Sequence, residues 1–389
     1  MSAPLPLSTA KPVIRNRTSG KESERHAKVR VMIVDDSLTV RTIFKRMVES
    51  DPAMEVVATA SSAERAIAQL DTSAVDVILL DLEMPGMGGL EALPELLKGT
   101  AGGQVLVVSS LTQDGAEHTV SALSMGAADT MLKPRPGGFN EDYRSQLLGK
   151  IRALGEGLTN SEDSGEELDA QSEVRRSASV AKTAAGILKL TKAPEVIAIG
   201  ASTGGIHALN IMLRRLTPDF DTPILITQHL PSSFIPVFAR QVEMACARPA
   251  VIADDGTEIR RGEVAIATGH GHMTVRRRGD RLVTRTSAEA APSGCLPSVD
   301  PMFASLAEAC EDRVLGIILS GMGRDGLEGA KALVEAGGTL IAQDAETSAV
   351  WGMPGAVAKA GLASLVASPE DIGNSLMSAV IRPSASEPG

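Results

Sequence analysis

Short, unbroken apolar runs alternate along most of the chain with longer stretches whose apolar residues recur every three or four positions. Up to Lys133 the runs are VRVMIVDD, MEVVATA, VDVILLD, QVLVVSS and DTMLKP, separated by helix-period segments such as LTVRTIFKRMVES and SAERAIAQL. A run that is apolar at every position is a strand buried on both faces, and strands joined through helices run parallel. This part therefore predicts five parallel strands with helical crossovers. A second series begins at EVIAIG and continues with PILITQH, EVAIAT, VLGIILSG and TLIAQD, with helices expected over 206–216, 233–245, 300–310, 325–336 and 354–361. Within it, MTVRRRGDRLVTRT places Gly279-Asp280 between two alternating strands, which predicts a hairpin.

Two segments break the pattern. Residues 1–27 are rich in Pro, Ser, Lys and Arg without an apolar period, as expected of a disordered leader. Residues 155–192 are rich in acidic, Ser and Ala residues and offer no strand, as expected of a tether. The organisation predicted is α/β throughout: leader 1–27, a (βα)5 domain with a parallel five-stranded sheet over 28–154, linker 155–192, a doubly wound α/β sheet with a hairpin over 193–370, and a tail, 371–389.

Composition narrows the partners. Of 389 residues 43% are hydrophobic and 22% charged, a globular profile, and the aromatic share of 2% leaves the cores to aliphatic side chains. A formal charge of -10 opposes a phosphate backbone, so nucleic acid is not an expected partner. No apolar run reaches the ~18 residues that span a bilayer, so no membrane insertion is expected. The odd set Cys246, Cys295 and Cys310 suits a reducing, cytosolic location.

In open parallel sheets functional groups gather where strands end. Asp35 and Asp36 end the first run, Asp81 the third, Ser109 the fourth and Lys133 the fifth, so folding brings all five to one rim. Clustered carboxylates repel unless a cation lies among them, and hard oxygen ligands suit Mg²⁺. A lysine beside them can pair with a phosphoryl oxygen, so the set describes a phosphorylatable aspartate. Singly, Asp-Asp-Ser after a strand is also an ordinary helix start, with Ser37 or Asp36 as N-cap.

Residues 29–150 resemble a bacterial response-regulator receiver domain through VDDS, VILLDLEMPGMGG, VVSS and the LKP that ends at Pro134. The resemblance implies Asp81 as phosphoacceptor, and Mg²⁺ held by Asp36, Asp81 and the backbone carbonyl of Glu83, with Asp35 acting through water. It places Ser109 and Lys133 on the phosphoryl group. Two positions depart from the pattern. Met87-Gly88-Gly89 stands where receivers usually show Met-Asp-Gly, and Thr130 stands where they commonly carry an aromatic switch residue. A ring-flip readout is not expected, and the signal must leave by another route.

In the second series EVIAIGASTGG runs a strand into a glycine-rich turn with Ser202 at the bend. A phosphate loop would need a lysine there, and a dinucleotide site an acid at the end of the next strand, where Gln228-His229 stand instead. Helix capping by Ser202 or Thr203 accounts for a hydroxyl and leaves the histidine unexplained. Serine becomes a nucleophile when a histidine oriented by a carboxylate takes its proton. His229 ends the next strand, and Asp325 follows VLGIILSG and a glycine-rich turn, where taken alone it reads as an N-cap. Such a triad is defined by geometry rather than chain order. His270-Gly271-His272 has no further zinc ligands placed with it. Cys295 reads as a packed or incidental thiol, and Trp351 as a loop anchor or a shaper of substrate approach.

IGASTGG, TQHLP, PSVDPMFASLA, ILSGMGRDG and QDAETSAVWGMPGAV, over 195–361, together resemble the catalytic domain of the chemotaxis protein-glutamate methylesterases. With a receiver and tether in front, the likeness covers nearly the whole chain beyond the leader. It implies hydrolysis of glutamyl methyl esters on chemoreceptors, with methanol released, and deamidation of receptor glutamines. Ser202, His229 and Asp325 become nucleophile, base and orienting acid, with the backbone N–H of Met322 and the Thr203 region at the oxyanion. The reaction is expected to need no cofactor. The likeness further implies a histidine kinase as phosphodonor, methyl-accepting chemoreceptors as substrate, recruitment to receptor arrays, and a receiver that packs over the active-site face until phosphorylated. ATGHGHM departs from the family pattern, which has a proline and only the second histidine. Competing readings are an output domain that only binds a protein partner, a DNA-binding output disfavoured by the acidic charge, and a general small-ester hydrolase.

Overall fold

The computed structural model describes residues 28–110, 112–134, 138–159 and 192–380. The expected leader, residues 160–191 of the expected linker, and residues 381–389 lie outside them.

In the first domain β1 (Val29–Val34), β2 (Met54–Ala60), β3 (Val77–Asp81), β4 (Gln104–Ser109) and β5 (Asp129–Leu132) alternate with α1 (Leu38–Glu49), α2 (Ala63–Leu70), α3 (Gly89–Gly99), α4 (Gln113–Met125) and α5 (Glu141–Thr159). The strands are parallel in the order β2-β1-β3-β4-β5. Every residue of β3 is buried, as an unbroken apolar run between two helical layers requires. The order reverses between β1 and β3, and their carboxyl ends flank the crevice where such sheets place ligands. Ser37 caps α1, its Oγ accepting from the Val40 N–H at 3.4 Å, so the capping reading holds for Ser37 and leaves both aspartates free for other work.

The second domain contains, among the described residues, β6 (Val196–Ala201), β7 (Ile224–Gln228), β8 (Ala250–Ala253), β9 (Val264–Ala267), β12 (Val314–Ile318), β13 (Thr339–Gln343) and β14 (Leu365–Ala367) in one parallel sheet, ordered β14-β13-β12-β6-β7-β9-β8. The intervening β10 (His272–Arg278) and β11 (Arg281–Ser287) form the predicted hairpin, turning at Gly279 with φ +65°. Helices α6 (Gly205–Leu213), α7 (Ile235–Cys246), α8 (Val299–Cys310), α9 (Leu327–Glu335), α10 (Met353–Lys359) and α11 (Pro369–Val380) cover the sheet.

The edge strands β8 and β14 escape the sequence pattern because they are short and partly exposed, so their apolar signal is broken. Two expected boundaries move. α5 continues past residue 154 to Thr159, and α11 occupies the start of the expected tail, burying Ile372 and Leu376 in the core that includes α6.

The centre of the second sheet tolerates no extra volume. A Cβ on Gly200 would lie 2.5 Å and 2.7 Å from the two Val299 methyls and 3.1 Å from Ile318 Cδ1. Gly200→Ala is expected to destabilise the chain by ~1–3 kcal/mol through overpacking. The urea midpoint reads this loss, and an unchanged midpoint would contradict the packing described.

Candidate active site and acidic pocket

Three strand ends build the first site. β6 is paired on one side with β7, Ala201 opposite Gln228, and on the other with β12, Gly200 opposite Ile318. The ladder continues past the strands: the His229 N–H donates to Ala201 O at 2.9 Å, the Leu319 N–H to Gly200 O at 2.9 Å, and the Ser202 N–H to Ser320 O at 3.0 Å. Ser202, His229 and the turn from Leu319 to Asp325 are thereby held side by side. Gly321 packs directly behind Ser202, where its own Cβ would fall 2.8 Å from that of the serine. Met322 follows in the same turn with a half-exposed side chain.

Neither Ser202 nor Thr203 is a helix cap; α6 starts from Gly204, in the left-handed region at φ +77°. Asp325 is not a cap either, since α9 starts from Gly326 at φ +87°. The Asp325 carboxylate, 2% exposed, turns instead to His229, whose Nε2 lies 2.7 Å from its Oδ2. Ser298 Oγ donates to Oδ1 at 2.5 Å and the Val299 N–H to Oδ2 at 2.7 Å. Burial alone would raise this carboxyl, but the bonds from His229 and Ser298 outweigh it and bring Asp325 down to about 2. For His229 burial works downward, and the Asp325 bond, with Cys295 beside it, lifts the ring from 6.5 to about 9. Asp300 is raised to about 6, by burial first and by the charge of Asp325, with the Gly329 N–H opposing.

The first domain closes over this site. The Gly204 N–H donates to Ala128 O at 2.6 Å, and Thr203 Oγ1 to Asp129 Oδ2 at 2.5 Å. Lys150 of α5 holds the same Asp129 oxygen at 2.5 Å. Nearby, His207 Nδ1 lies 3.0 Å from Ser124 O. The cavity left between Ser202, His229, Ala128 and Asp129 is ≈ 10 Å³, room for about one water.

The second site lies at the rim of the first sheet, where Asp35, Asp36 and Asp81 each bring a carboxylate oxygen within 4.8 Å of the others. Lys133 Nζ lies 2.5 Å from Asp81 Oδ2 and 3.0 Å from Asp35 Oδ2. Burial lifts Asp81 to about 6, against the pull of Lys133. Lys133 is itself held above the ordinary lysine value, because its bonds to Asp81 outweigh its own burial. Ser109 Oγ is buried and makes no hydrogen bond to a described residue. The Glu83 N–H donates to Asp81 Oδ1 at 3.0 Å, so the residue expected to lend its carbonyl adjoins the cluster. Three carboxylates gathered at one rim, more acid than the single lysine can neutralise, suit a hard divalent cation.

Residues 197–376 match the family model described as CheB methylesterase, and residues 31–138 the response regulator receiver domain. A protein-glutamate methylesterase/protein-glutamine glutaminase of Rhodospirillum rubrum is 40% identical over 361 residues, 88% of this chain and 93% of that protein. The chain belongs to that family. A relative with the same name from Paramagnetospirillum magneticum is 41% identical over 354 residues, 87% of this chain and 92% of its own. The crystal structure of the Thermotoga maritima CheB methylesterase catalytic domain aligns at 31% identity and TM-score 0.47, covering 48% of this chain and 99% of that domain.

Sequence reasoning about this methylesterase-family chain missed the groups that hold its charges in place. Ser298 and the Val299 N–H were visible only as part of PSVDPMFASLA, and Asp129 only as the residue before Thr130. Trp351 is tethered to the sheet, its Nε1 donating to Gln343 O at 2.9 Å. His272 is fully engaged, Nδ1 accepting from the Ser298 N–H at 2.9 Å and Nε2 lying 2.7 Å from Glu289 O.

Because the folded chain holds the His229 proton more tightly and the Asp325 proton less tightly than an unfolded one, the pair stabilises the fold fully between 3.8 and 6.5, and the gain is lost as pH rises through about 9 or falls through about 2. An NMR titration of the His229 ring should give a midpoint well above 6.5, lowered in Asp325→Asn. A native midpoint at the ordinary value would contradict the charge pairing.

Proposed function

We propose that the chain hydrolyses glutamyl methyl esters on methyl-accepting chemoreceptors, and deamidates receptor glutamines at the same site, under control of phosphorylation at Asp81. The observation that carries this reading is the convergence of Ser202, His229 and the buried Asp325 beneath a receiver domain that occupies the neighbouring donors. With Nε2 committed to Asp325, His229 Nδ1 is left to take the Ser202 proton as Oγ attacks the ester carbonyl. Charge then develops on the carbonyl oxygen. The N–H groups of the Ser202 and Met322 turns are the donors for it, each of a kind worth ~3 kcal/mol in the transition state. Collapse expels methanol with the proton from His229, leaving a glutamyl ester on Ser202. Water, deprotonated by the same ring, then frees the carboxylate; from an amide, ammonia leaves in place of methanol.

In the docked arrangement this chemistry is closed. The Ala128 carbonyl saturates the Gly204 N–H, Asp129 holds Thr203, and ≈ 10 Å³ admits no ester. Bound among Asp35, Asp36 and Asp81, Mg²⁺ would neutralise the carboxylates and accept phosphoryl oxygens. Asp81, ionised by loss of the proton that burial favours, attacks a phosphohistidine of the kinase. Ser109 and Lys133 then turn to the phosphoryl oxygens. Lys133 follows the last residue of β5, and Asp129 is the first, so a shift of one end reaches the docking contact at the other. This strand replaces the aromatic switch that Thr130 cannot provide. The receiver need only trade one set of contacts for another.

The test is methanol release from methylated receptor by the intact chain. A small phosphodonor with Mg²⁺ raises the rate, and Asp129→Ala raises it without a phosphodonor. Ser202→Ala, still folded, loses roughly 10³-fold or more. As only the neutral ring accepts a proton, kcat/KM climbs as pH rises from neutral towards 9. Undiminished methanol release by Ser202→Ala would leave the serine turn a structural feature and overturn the reading.

A further inference from the structure

Cys295 sits in the loop leading into Ser298, partly exposed and in no disulfide, whereas Cys246 and Cys310 are buried. Its Sγ, a ring nitrogen of His229 and a carboxylate oxygen of Asp325 all lie within 4.8 Å of one another. Ester hydrolysis has no use for a thiol at that point. Sγ makes a long 3.9 Å contact with Ser293 O, inside its own loop, and otherwise faces the His229 ring.

Thiolate sulfur, imidazole nitrogen and carboxylate oxygen are the donors of tetrahedral Zn²⁺, at ~2.0–2.3 Å from the ion and hence about 3.5 Å from one another. To reach that arrangement the His229 Nε2–Asp325 Oδ2 pair opens from 2.7 Å as the ion enters between them, and the thiol closes in from within 4.8 Å. Two of the three donors are already fixed: Asp325 by Ser298 and Val299, and His229 by its strand end. Metal sites depend on such outer support for ligand orientation. Ser293 Oγ, 3.3 Å from Ser298 Oγ and accepting from the Cys295 N–H at 3.3 Å, ties the thiol's loop to the same support. His272 cannot contribute, since both its nitrogens are engaged, so a solvent oxygen completes the fourth position. The Asp35–Asp36–Asp81 cluster offers only oxygen and suits a hard cation; the sulfur-containing set suits a softer one.

We propose that His229, Cys295 and Asp325 form a binding site for a thiophilic divalent cation of the Zn²⁺ type, which inhibits the hydrolase by taking the imidazole and carboxylate that Ser202 requires. Binding displaces the thiol proton, and the ring proton where present, to solvent, so affinity increases with pH. The cation site stands on its donor geometry alone; the inhibition rests on the methylesterase reading.

The experiment titrates Co²⁺ into the full chain with Mg²⁺ in excess to occupy the acidic pocket. A thiolate-to-cobalt charge-transfer band is expected to saturate near one equivalent, to disappear on adding Zn²⁺, and to be absent from Cys295→Ser. In parallel, Zn²⁺ suppresses methanol release reversibly with a chelator, and the inhibition midpoint moves up by about tenfold or more in Cys295→Ser. No thiolate band, or a band that survives in Cys295→Ser, overturns the site. Equal inhibition midpoints for the two chains overturn the inhibitory role. If no preparation releases methanol, the esterase reading fails while the cobalt spectrum still decides the cation site.

Discussion

A carboxylate with 2% of its surface exposed stays charged only when protein donors replace the water it has lost. Asp325 meets that demand with three groups, Ser298 Oγ, the Val299 N–H and His229 Nε2, drawn from segments far apart in the chain. Much of the second domain follows from satisfying it. Ser298 caps α8, the hairpin supplies His272 to accept from the Ser298 N–H, and His229 directly follows β7. The result is an imidazole held in one orientation beside a serine, which is what nucleophilic catalysis asks of a histidine. Breaking such a pair by removing one partner is costly because the other charge is left buried alone.

The same economy of position governs the interface. Glycine at 204 adopts a left-handed turn that leaves its N–H pointing away from α6, available either to a developing oxyanion or to a receiver carbonyl. One donor cannot serve both, so on the proposed reading docking and catalysis exclude each other without any distant transmission. What must travel is only the change at Asp81. β5 is four residues long, with Lys133 directly after it and the docking residue Asp129 at its start.

The buried strands were legible because each is an unbroken apolar run, and the polar residues that end or directly follow them, Asp35, Asp81, Ser109, Lys133, Ser202 and His229, inherit their location from those runs. β8 and β14 were not, since an edge strand with partly exposed residues has no distinctive pattern. The support around Asp325 was hidden for another reason. Its bonds to Ser298 and Val299 span 27 and 26 residues, and no local period encodes them. Asp129 and Cys295 matter only through what the folded chain sets against them, a second domain in one case and a charged pair in the other.

The central claim is that the charged Asp325 orients His229 so that Ser202, and no other serine, is activated at this edge. Treating the intact chain with a fluorophosphonate and locating the adduct by mass spectrometry tests it most directly. The account predicts a single modified residue, Ser202, labelled slowly by the unmodified chain, faster once Asp81 is phosphorylated, and not at all in His229→Gln. An unlabelled Ser202 in a phosphorylated chain that still releases methanol would contradict it.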